Sequence, residues 1–269
     1  DRQLYIVDPN DEHPVESAQK VPFEGPIFAP VVMHPSRGGM SSSSSEPSRR
    51  ERRWERVAVV ADLKGNIRRL DTDTGAAVWN TKSGAPVFAT PCILPAGSAS
   101  GVSGQTQVIV ACVNGHVLSL DLGTGTKLWT FAVGSRKPVF SPPVYVPAHN
   151  TVVFGCHDGV LRALSPCRGT LLWEKKSPTL SPIAAAPVID AHALLPAGNL
   201  PNTPAAPIRA AYCSRDGGVF MLLLHGGNLV QELQAWHMDG EVFSSPVLVG
   251  KRVLVGCRDD RLWCFRLQR

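Results

Sequence analysis

The sequence predicts an all-β protein, a β-propeller of four-stranded antiparallel blades forming an incomplete ring. A Val-Phe-small-small-Pro motif recurs along the chain, at residues 27–30 (one residue shorter), 87–91, 139–143, 183–187 and 242–246. Turn glycines (Gly65, Gly115, Gly159) and tryptophans (Trp79, Trp129, Trp173) keep the same two intervals, 50 and then 44 residues. Short strands repeated at this period with one tryptophan each are typical of propellers, whereas a β-sandwich does not require a shared period.

Each repeat predicts the same four elements. The Val-Phe-x-x-Pro motif supplies the first strand, with residues 27–32 opening the first full blade. In that blade residues 57–61 are β-branched, Gly65 allows a hairpin turn, and residues 67–71 alternate. Gly75 turns the chain again before a fourth strand with Trp79. The next two repeats follow this order, and Gly125 is the second turn glycine of the first of them.

The chain ends and the later repeat are less regular. Residues 1–8 resemble a third strand, and residues 240–267 supply three strands, so we expect about four full blades with partial blades at both ends. The repeat around Gly217 is degraded: Val230 replaces its tryptophan, and Trp236 has no role in the repeat. Incomplete rings leave sheet edges unpaired.

Residue composition divides the chain into three segments. Residues 1–34 form a partial blade and a first inner strand, residues 35–53 a low-complexity insertion, and residues 54–268 the blades, with insertions near 96–105 and at 194–207. The net charge of +5 is concentrated in an arginine-rich segment at 49–56, which favours a solvated loop over nucleic-acid binding. We expect no membrane contact, because no apolar run approaches the roughly 18 residues of a membrane span.

Candidate chemistry is sparse. Cys112, Cys156 and Cys257 share one repeat position, which predicts a small apolar filler in a reduced compartment, most simply the cytoplasm. In Cys156-His157-Asp158 the cysteine occupies this filler position and the next two residues belong to a hairpin turn. The triplet therefore predicts neither a nucleophile nor a metal site. Asp71 and Asp121 are predicted to cap turn N–H groups. No catalytic, cofactor-binding or metal residue is predicted; the predicted structural residues are Trp79, Trp129, Trp173, Gly65, Gly115, Gly159, Gly217, Gly75 and Gly125.

Two stretches resemble a known repeat. "LDTDTGAAVW" (70–79) and "LDLGTGTKLW" (120–129) are similar to the Leu-Asp-x-x-Thr-Gly-x-x-x-Trp motif of pyrroloquinoline-quinone-type propellers, which occur in quinoprotein dehydrogenases and in many non-enzymatic proteins. The motif residues shape turns and blade packing, so the resemblance implies fold more strongly than function. Residues 164–173 keep the glycine and tryptophan but have Ser165 and Arg168 in place of Asp and Thr.

A closer resemblance covers the chain from about residue 27 onward. "GEVFSSPVLVGKRVLVGCRDDRLWCFRL", "GAPVFATP" and "VVFGCHDG" resemble the C-terminal propeller of the beta-alanine-activating enzyme family of acyl-CoA synthetase-like proteins. This resemblance implies an ATP-dependent ligase whose adenylation domain and phosphopantetheine carrier lie outside this sequence. ATP and phosphopantetheine would serve those domains, and no cofactor is expected in this chain.

Three functions remain open from the sequence. The first is a non-catalytic binding or scaffolding propeller whose partner is the carrier or adenylation domain of the same protein, or another protein or peptide. The second is a pyrroloquinoline-quinone-dependent oxidoreductase, which titration with quinone and calcium would reveal. The third is a free-standing adaptor propeller, which the coding sequence upstream of Asp1 would distinguish.

Overall fold

The computed structural model describes residues 2–7, 16, 18–33, 57–95, 105–190, 207–226 and 228–267. These residues form antiparallel sheets and one short 3-10 helix at Pro147–His149. The predicted insertions at 35–53, near 96–105 and at 194–207 lie outside them, apart from positions 105 and 207.

Six sheets follow one another along the chain, each with its strands in sequence order. The first sheet contains β1 (Gln3–Ile6) and β2 (Gln19–Pro22). The second contains β3 (Val32–Met33), β4 (Val57–Ala61), β5 (Asn66–Asp71) and β6 (Ala77–Lys82). The third contains β7 (Cys92–Leu94), β8 (Gln107–Ala111), β9 (His116–Asp121) and β10 (Lys127–Ala132).

The remaining sheets continue this order. The fourth contains β11 (Val144–Val146), β12 (Thr151–Gly155), β13 (Val160–Leu164) and β14 (Leu171–Lys176). The fifth contains β15 (Val188–Ile189), β16 (Ile208–Cys213), β17 (Gly218–His225) and β18 (Asn228–His237). The sixth contains β19 (Val247–Val249), β20 (Arg252–Cys257) and β21 (Arg261–Arg266).

The hydrophobic core lies between consecutive sheets. Alternate residues of one strand face opposite neighbours: Val108 and Val110 pack toward the second sheet, whereas Ile109 and Ala111 pack toward the fourth. Further apolar clusters join the first to the second, the fourth to the fifth and the fifth to the sixth sheet. All five residues of the second strands β4, β8 and β12 are therefore buried. This packing of sheets face to face in succession is that of propeller blades, as the sequence predicted.

The sheets at the two ends are partial. The first sheet has only the strand pair that corresponds to β5 and β6 of the next sheet, since Gln3 pairs with Pro22 as Asn66 pairs with Lys82. The sixth has the first three strands of a blade. Among the described residues neither a strand pairing nor an apolar cluster joins the sixth sheet to the first, so no closed ring is seen in the described sheets.

The prediction that Val-Phe-x-x-Pro forms the first strand of each blade was wrong. In every blade the first strand begins after the proline, for example at Cys92 after Pro91, and Val32 rather than Ile27 begins the first one. The motif instead forms the connection between sheets. Its backbone groups bond to turns of both neighbouring sheets, and its proline has no N–H to donate to a strand ladder.

Candidate functional site

The turn between the second and third strands has one backbone geometry throughout. Its glycine has a φ of +76° at Gly65, +81° at Gly115, +76° at Gly159 and +100° at Gly217. Each of these glycines accepts a backbone hydrogen bond from the residue after the fourth strand, such as the 2.8 Å bond from Ser83 N to Gly65 O. Asp260, with a φ of +61°, occupies this turn position in the sixth sheet.

The turn between the third and fourth strands is shaped by the Asp-x-x-Thr-Gly motif. Asp121 Oδ1 accepts hydrogen bonds from the Thr124 N–H at 2.7 Å and the Thr124 hydroxyl at 2.8 Å. Asp71 makes the corresponding bonds to Thr74 at 3.0 Å each. Both carboxylates thus act within their turns, where the sequence analysis placed them.

This turn is also where the tryptophan of the preceding sheet docks. Trp79 donates its indole N–H to Leu122 O at 2.9 Å and lies over Gly125. A Cβ at Gly125 would stand 2.6 Å from a Trp79 ring carbon, so only glycine leaves room for the indole. Trp129 repeats the arrangement in the next sheet, bonding to Pro166 O at 2.8 Å and covering Gly169.

The remaining docking positions are occupied differently. Trp173 packs on the cluster between the fourth and fifth sheets. In the first sheet Gln19 lies where a tryptophan would lie, above Gly75, and its amide donates to Thr74 O.

The strand register of the fifth sheet corrects two sequence-based assignments. Met221 pairs with Gln234 as Ala163 pairs with Trp173, so Gln234 rather than Val230 stands at the tryptophan position. Trp236 follows two residues later on the same face of β18, and its ring stacks on Phe265 of the sixth sheet at 5.1 Å. It therefore has a packing role that the sequence analysis did not give it.

The shared cysteine position lies at the end of the second strand and is buried in the third and fourth sheets but only half-buried at Cys257 in the sixth. Cys112 and Cys156 are fully buried, and burial raises the pKa of the Cys112 thiol to about 11 and of the Cys156 thiol to about 12. Such thiols are protonated and unreactive at neutral pH. Asp62 fills the position in the second sheet, where its carboxylate accepts backbone bonds from Gly25, Lys64 and Asn66.

In the Cys156-His157-Asp158 sequence the aspartate is engaged by residues outside this triplet. Asp158 accepts two hydrogen bonds from the Arg162 guanidinium, at 3.0 and 2.7 Å, and one from the Ser135 hydroxyl. Burial opposes ionisation of Asp158, but the bonds from Arg162 and Ser135 outweigh it and hold its pKa below the ordinary value. No group of three or more His, Cys, Asp or Glu side chains that could hold a metal occurs in the described part of the chain.

The Val-Phe-x-x-Pro connections hold adjacent sheets together through backbone hydrogen bonds. Val139 N donates to Cys112 O of the third sheet at 3.2 Å, while Pro138 O accepts from His157 N of the fourth at 3.0 Å. Val87 and Ile183 make bonds of the first kind in their own connections. Each connection is thereby anchored to the turns on either side, and the residue after its valine is presented at the same end of the sheets.

An aromatic row results at this end of the molecule. The ring centroids of Phe28 and Phe88 are 5.7 Å apart, those of Phe88 and Phe140 5.4 Å, and those of Phe140 and His157 4.6 Å. Phe28 is 65% exposed, and the other three are half-buried. This surface was not predicted from the sequence, because the motif was assigned to the first strand of each blade. The recurrence of Phe directly after Val or Ile was the available signal.

Beyond the row, Ala184 occupies the Phe position of the fourth connection, and the fifth connection presents Phe243. Two guanidinium groups lie over its ring, that of Arg215 at 5.1 Å and that of Arg258 at 4.7 Å. Both arginines also bond Glu241, at 2.9 and 3.3 Å. We call these four residues the arginine pair cluster.

Two open cavities lie on the described surface. One, of about 400 Å³, is bounded by Phe28 at the exposed end of the aromatic row and by Arg2, Gln3, Pro26 and Ile27. The other, of about 270 Å³, lies between the fourth and fifth sheets and is lined mainly by apolar groups, including Phe220 and Trp236.

Comparison with known proteins agrees with the repeat pattern. The family model described as "Beta-alanine-activating enzyme, beta-propeller" matches residues 1–267. Beta-alanine-activating enzymes are similar to this chain at 29% identity over 227 residues in Drosophila melanogaster, covering 78% of this chain and 20% of that protein, and at 29% over 180 residues in Danio rerio, covering 61% and 14%. The chain thus spans about a fifth or less of the length of these relatives.

Solved structures show the same fold at low identity. BamB from Moraxella catarrhalis superposes with a TM-score of 0.64 at 18% identity, over 94% of this chain and 65% of that one. BBS1N, solved in complex with ARL6DN, gives 0.61 at 15% identity, over 100% of this chain and 72% of that one. No α-helix in the described ranges is long and apolar enough to cross a bilayer.

Proposed function

The chain belongs to the beta-propeller family of the beta-alanine-activating enzyme, and we propose that it is the non-catalytic binding and scaffolding part of an ATP-dependent acyl-activating ligase. In this proposal adenylation and thioester loading are performed by domains outside this chain, which use ATP and phosphopantetheine. The names of the relatives and the small fraction of their length that the chain spans support it. The seven free cysteines support a location in the reducing cytoplasm.

The aromatic row is the observation that carries the binding role. Phe28, Phe88 and Phe140 present ring surface at one end of the sheets, on connections held rigidly by the turns of two blades. Aromatic side chains are enriched at protein interfaces because they bury a large area at a low cost in conformational entropy. The partner is the carrier or adenylation domain of the same protein, or another protein or peptide.

A pair of matched variants in the full-length protein tests this function. Phe88→Ser with Phe140→Ser alters the aromatic row, whereas Val78→Ser with Leu172→Ser removes exposed apolar side chains from outer strands as a control. We expect beta-alanine-dependent ATP–pyrophosphate exchange to stay unchanged in both variants. Hydrogen exchange in the 83–91 and 133–143 connections should be slower in the full-length protein than in the isolated chain, and only the row variant should lose this protection.

Two results would overturn the proposal. The first is a row variant that behaves like the outer-strand control in the exchange measurement. The second is loss of pyrophosphate exchange in the row variant while its thermal unfolding is unchanged, since that would assign catalysis to this face.

A further inference from the structure

One repeat position beside the aromatic row changes from apolar to basic around the molecule. It lies two residues before the positive-φ residue of the turn between the second and third strands, and its N–H bonds to the preceding connection in every sheet from the second to the sixth. The residues at this position are Leu63, Val113, His157, Arg215 and Arg258. The common backbone bond holds these side chains at equivalent places in successive sheets. One surface therefore changes from apolar, at the second and third sheets, to basic, at the fifth and sixth.

The arginine pair cluster adjoins the aromatic row. Arg215 N donates to Pro182 O at 2.8 Å, and Ile183 N, the next residue of that connection, donates at 3.0 Å to Cys156 O, directly before His157. In keeping with this proximity, the pKa of His157 is lowered by burial and further by the charge of Arg215. His157 in turn contacts Phe140 at 4.6 Å. Arg215 is therefore close enough to the end of the row for one ligand to reach both.

Within the cluster, two guanidinium groups share one carboxylate. Glu241 is bonded to both guanidinium groups, and the side chains of Arg215 and Arg258 are 42% and 69% exposed. The neighbouring carboxylates Asp216 and Asp259 stay ionised, but their side-chain hydrogen bonds come from Ser214, Thr179 and the Trp263 indole rather than from the two arginines. A guanidinium has five N–H donors, so both arginines retain donors for a further acceptor.

We propose that the segment docking on this face is an acidic peptide with an aromatic or large apolar side chain. Its carboxylates bind Arg215 and Arg258 in competition with Glu241, and its apolar side chain packs on the row at Phe88 and Phe140. The inference rests on the proposed binding function and specifies the chemistry of the partner. Stacked, partly exposed guanidinium groups suit planar carboxylates, and the adjacent rings suit an apolar anchor.

Selection from a random dodecapeptide library on the whole chain tests the inference. We expect enriched peptides to combine Asp or Glu with Phe, Trp or Leu. Arg215→Gln with Arg258→Gln should weaken the binding of these peptides at least tenfold. Glu241→Gln should strengthen it several-fold, because it removes the competing carboxylate. Arg168→Gln, in the turn at the other end of the strands, is the control and should change nothing.

The outcomes separate this inference from the function on which it rests. Peptides that require Phe88 and Phe140 but are basic, or are insensitive to the three arginine-cluster substitutions, would overturn the inference and leave the binding function standing. Failure to select any peptide that requires Phe88 and Phe140 would overturn both. A single-stranded oligonucleotide that displaces the peptides and binds more tightly than they do would also overturn the acidic-peptide proposal. Unchanged thermal unfolding of Glu241→Gln would exclude a folding effect.

Discussion

The contact between the second and third sheets and the contact between the fifth and sixth sheets use an indole differently. In the former, Trp79 docks on the Asp-x-x-Thr-Gly turn of the next sheet, over Gly125. In the latter, Gln234 stands at the docking position and Trp236 stacks on Phe265. The sixth sheet has no fourth strand in its described part, so this contact lacks the turn on which an indole would dock. The position of the indole therefore depends on whether the next sheet has a turn between its third and fourth strands.

The largest effect is expected at the regular contact. Gly125→Val would place side-chain atoms inside the Trp79 ring and impose a φ of +74° on a β-branched residue. Overpacking and backbone strain together should lower the free energy of unfolding by about 3–5 kcal/mol. Denaturant unfolding measures this, with Gly134→Ala as the control, because a Cβ at Gly134 meets nothing within 4 Å. Equal losses in the two variants would contradict the steric role of Gly125.

The second prediction compares Trp236 with Trp129, which docks on the next sheet in the same way as Trp79. Trp129→Ala removes packing on Gly169 and the bond to Pro166 O, and should cost about 3 kcal/mol. Trp236→Ala removes a stacked ring without an indole hydrogen bond among its described contacts and should cost about 1–2 kcal/mol. Thermal unfolding of both variants measures the two losses of stability. A larger loss for Trp236 would show that the irregular contact is the stronger one.

A smaller effect is expected at the docking turn itself. Asp121→Ala removes the acceptor for the Thr124 N–H and hydroxyl and should destabilise the chain by about 1–2 kcal/mol. Thr124→Val, which keeps the backbone bond and loses the hydroxyl, should cost less. If both substitutions were neutral, the carboxylate would not be what shapes this turn.

The smallest prediction concerns pH. Because the pKa of folded Asp158 lies below its ordinary value, its pair with Arg162 contributes stability above the unfolded pKa of about 3.9 and loses it as pH falls through the folded pKa. Asp158→Asn should therefore be less stable than the parent near pH 7, with the difference shrinking at acidic pH. Urea unfolding at several pH values checks this. A difference that stays constant or grows toward acid would contradict it.

The sequence was informative where one residue type has one geometric role. The turn glycines, such as Gly115, and the tryptophans, such as Trp129, recur at the same intervals, which predicted that successive sheets are built alike. This prediction was possible because a positive φ and an indole packed between blades each restrict the choice of residue. Val-Phe-x-x-Pro was assigned wrongly because its β-branched and aromatic residues suit a strand, while its true partners are backbone groups of two other repeats. The Trp236 contact was missed because the two bulges in the pairing of β17 with β18 cannot be counted from spacing.

The arginine pair cluster was beyond sequence analysis for a related reason. Arg215, Glu241 and Arg258 are far apart along the chain, and they meet because two turns and one connection converge. In the sequence, each arginine is only a charged residue beside a turn. Contact between repeats, rather than composition within one, created the site.

The connections that bond to turns on both sides also determine the order in which the sheets unfold. A sheet in the interior is anchored by two connections, whereas each terminal sheet is anchored by one. Opening should therefore start at the outermost sheets and advance inward one neighbour at a time, in the manner of a short linear array. Amide protons of β8 and β12 would be the last to exchange with solvent, and those of β1 and β21 the first.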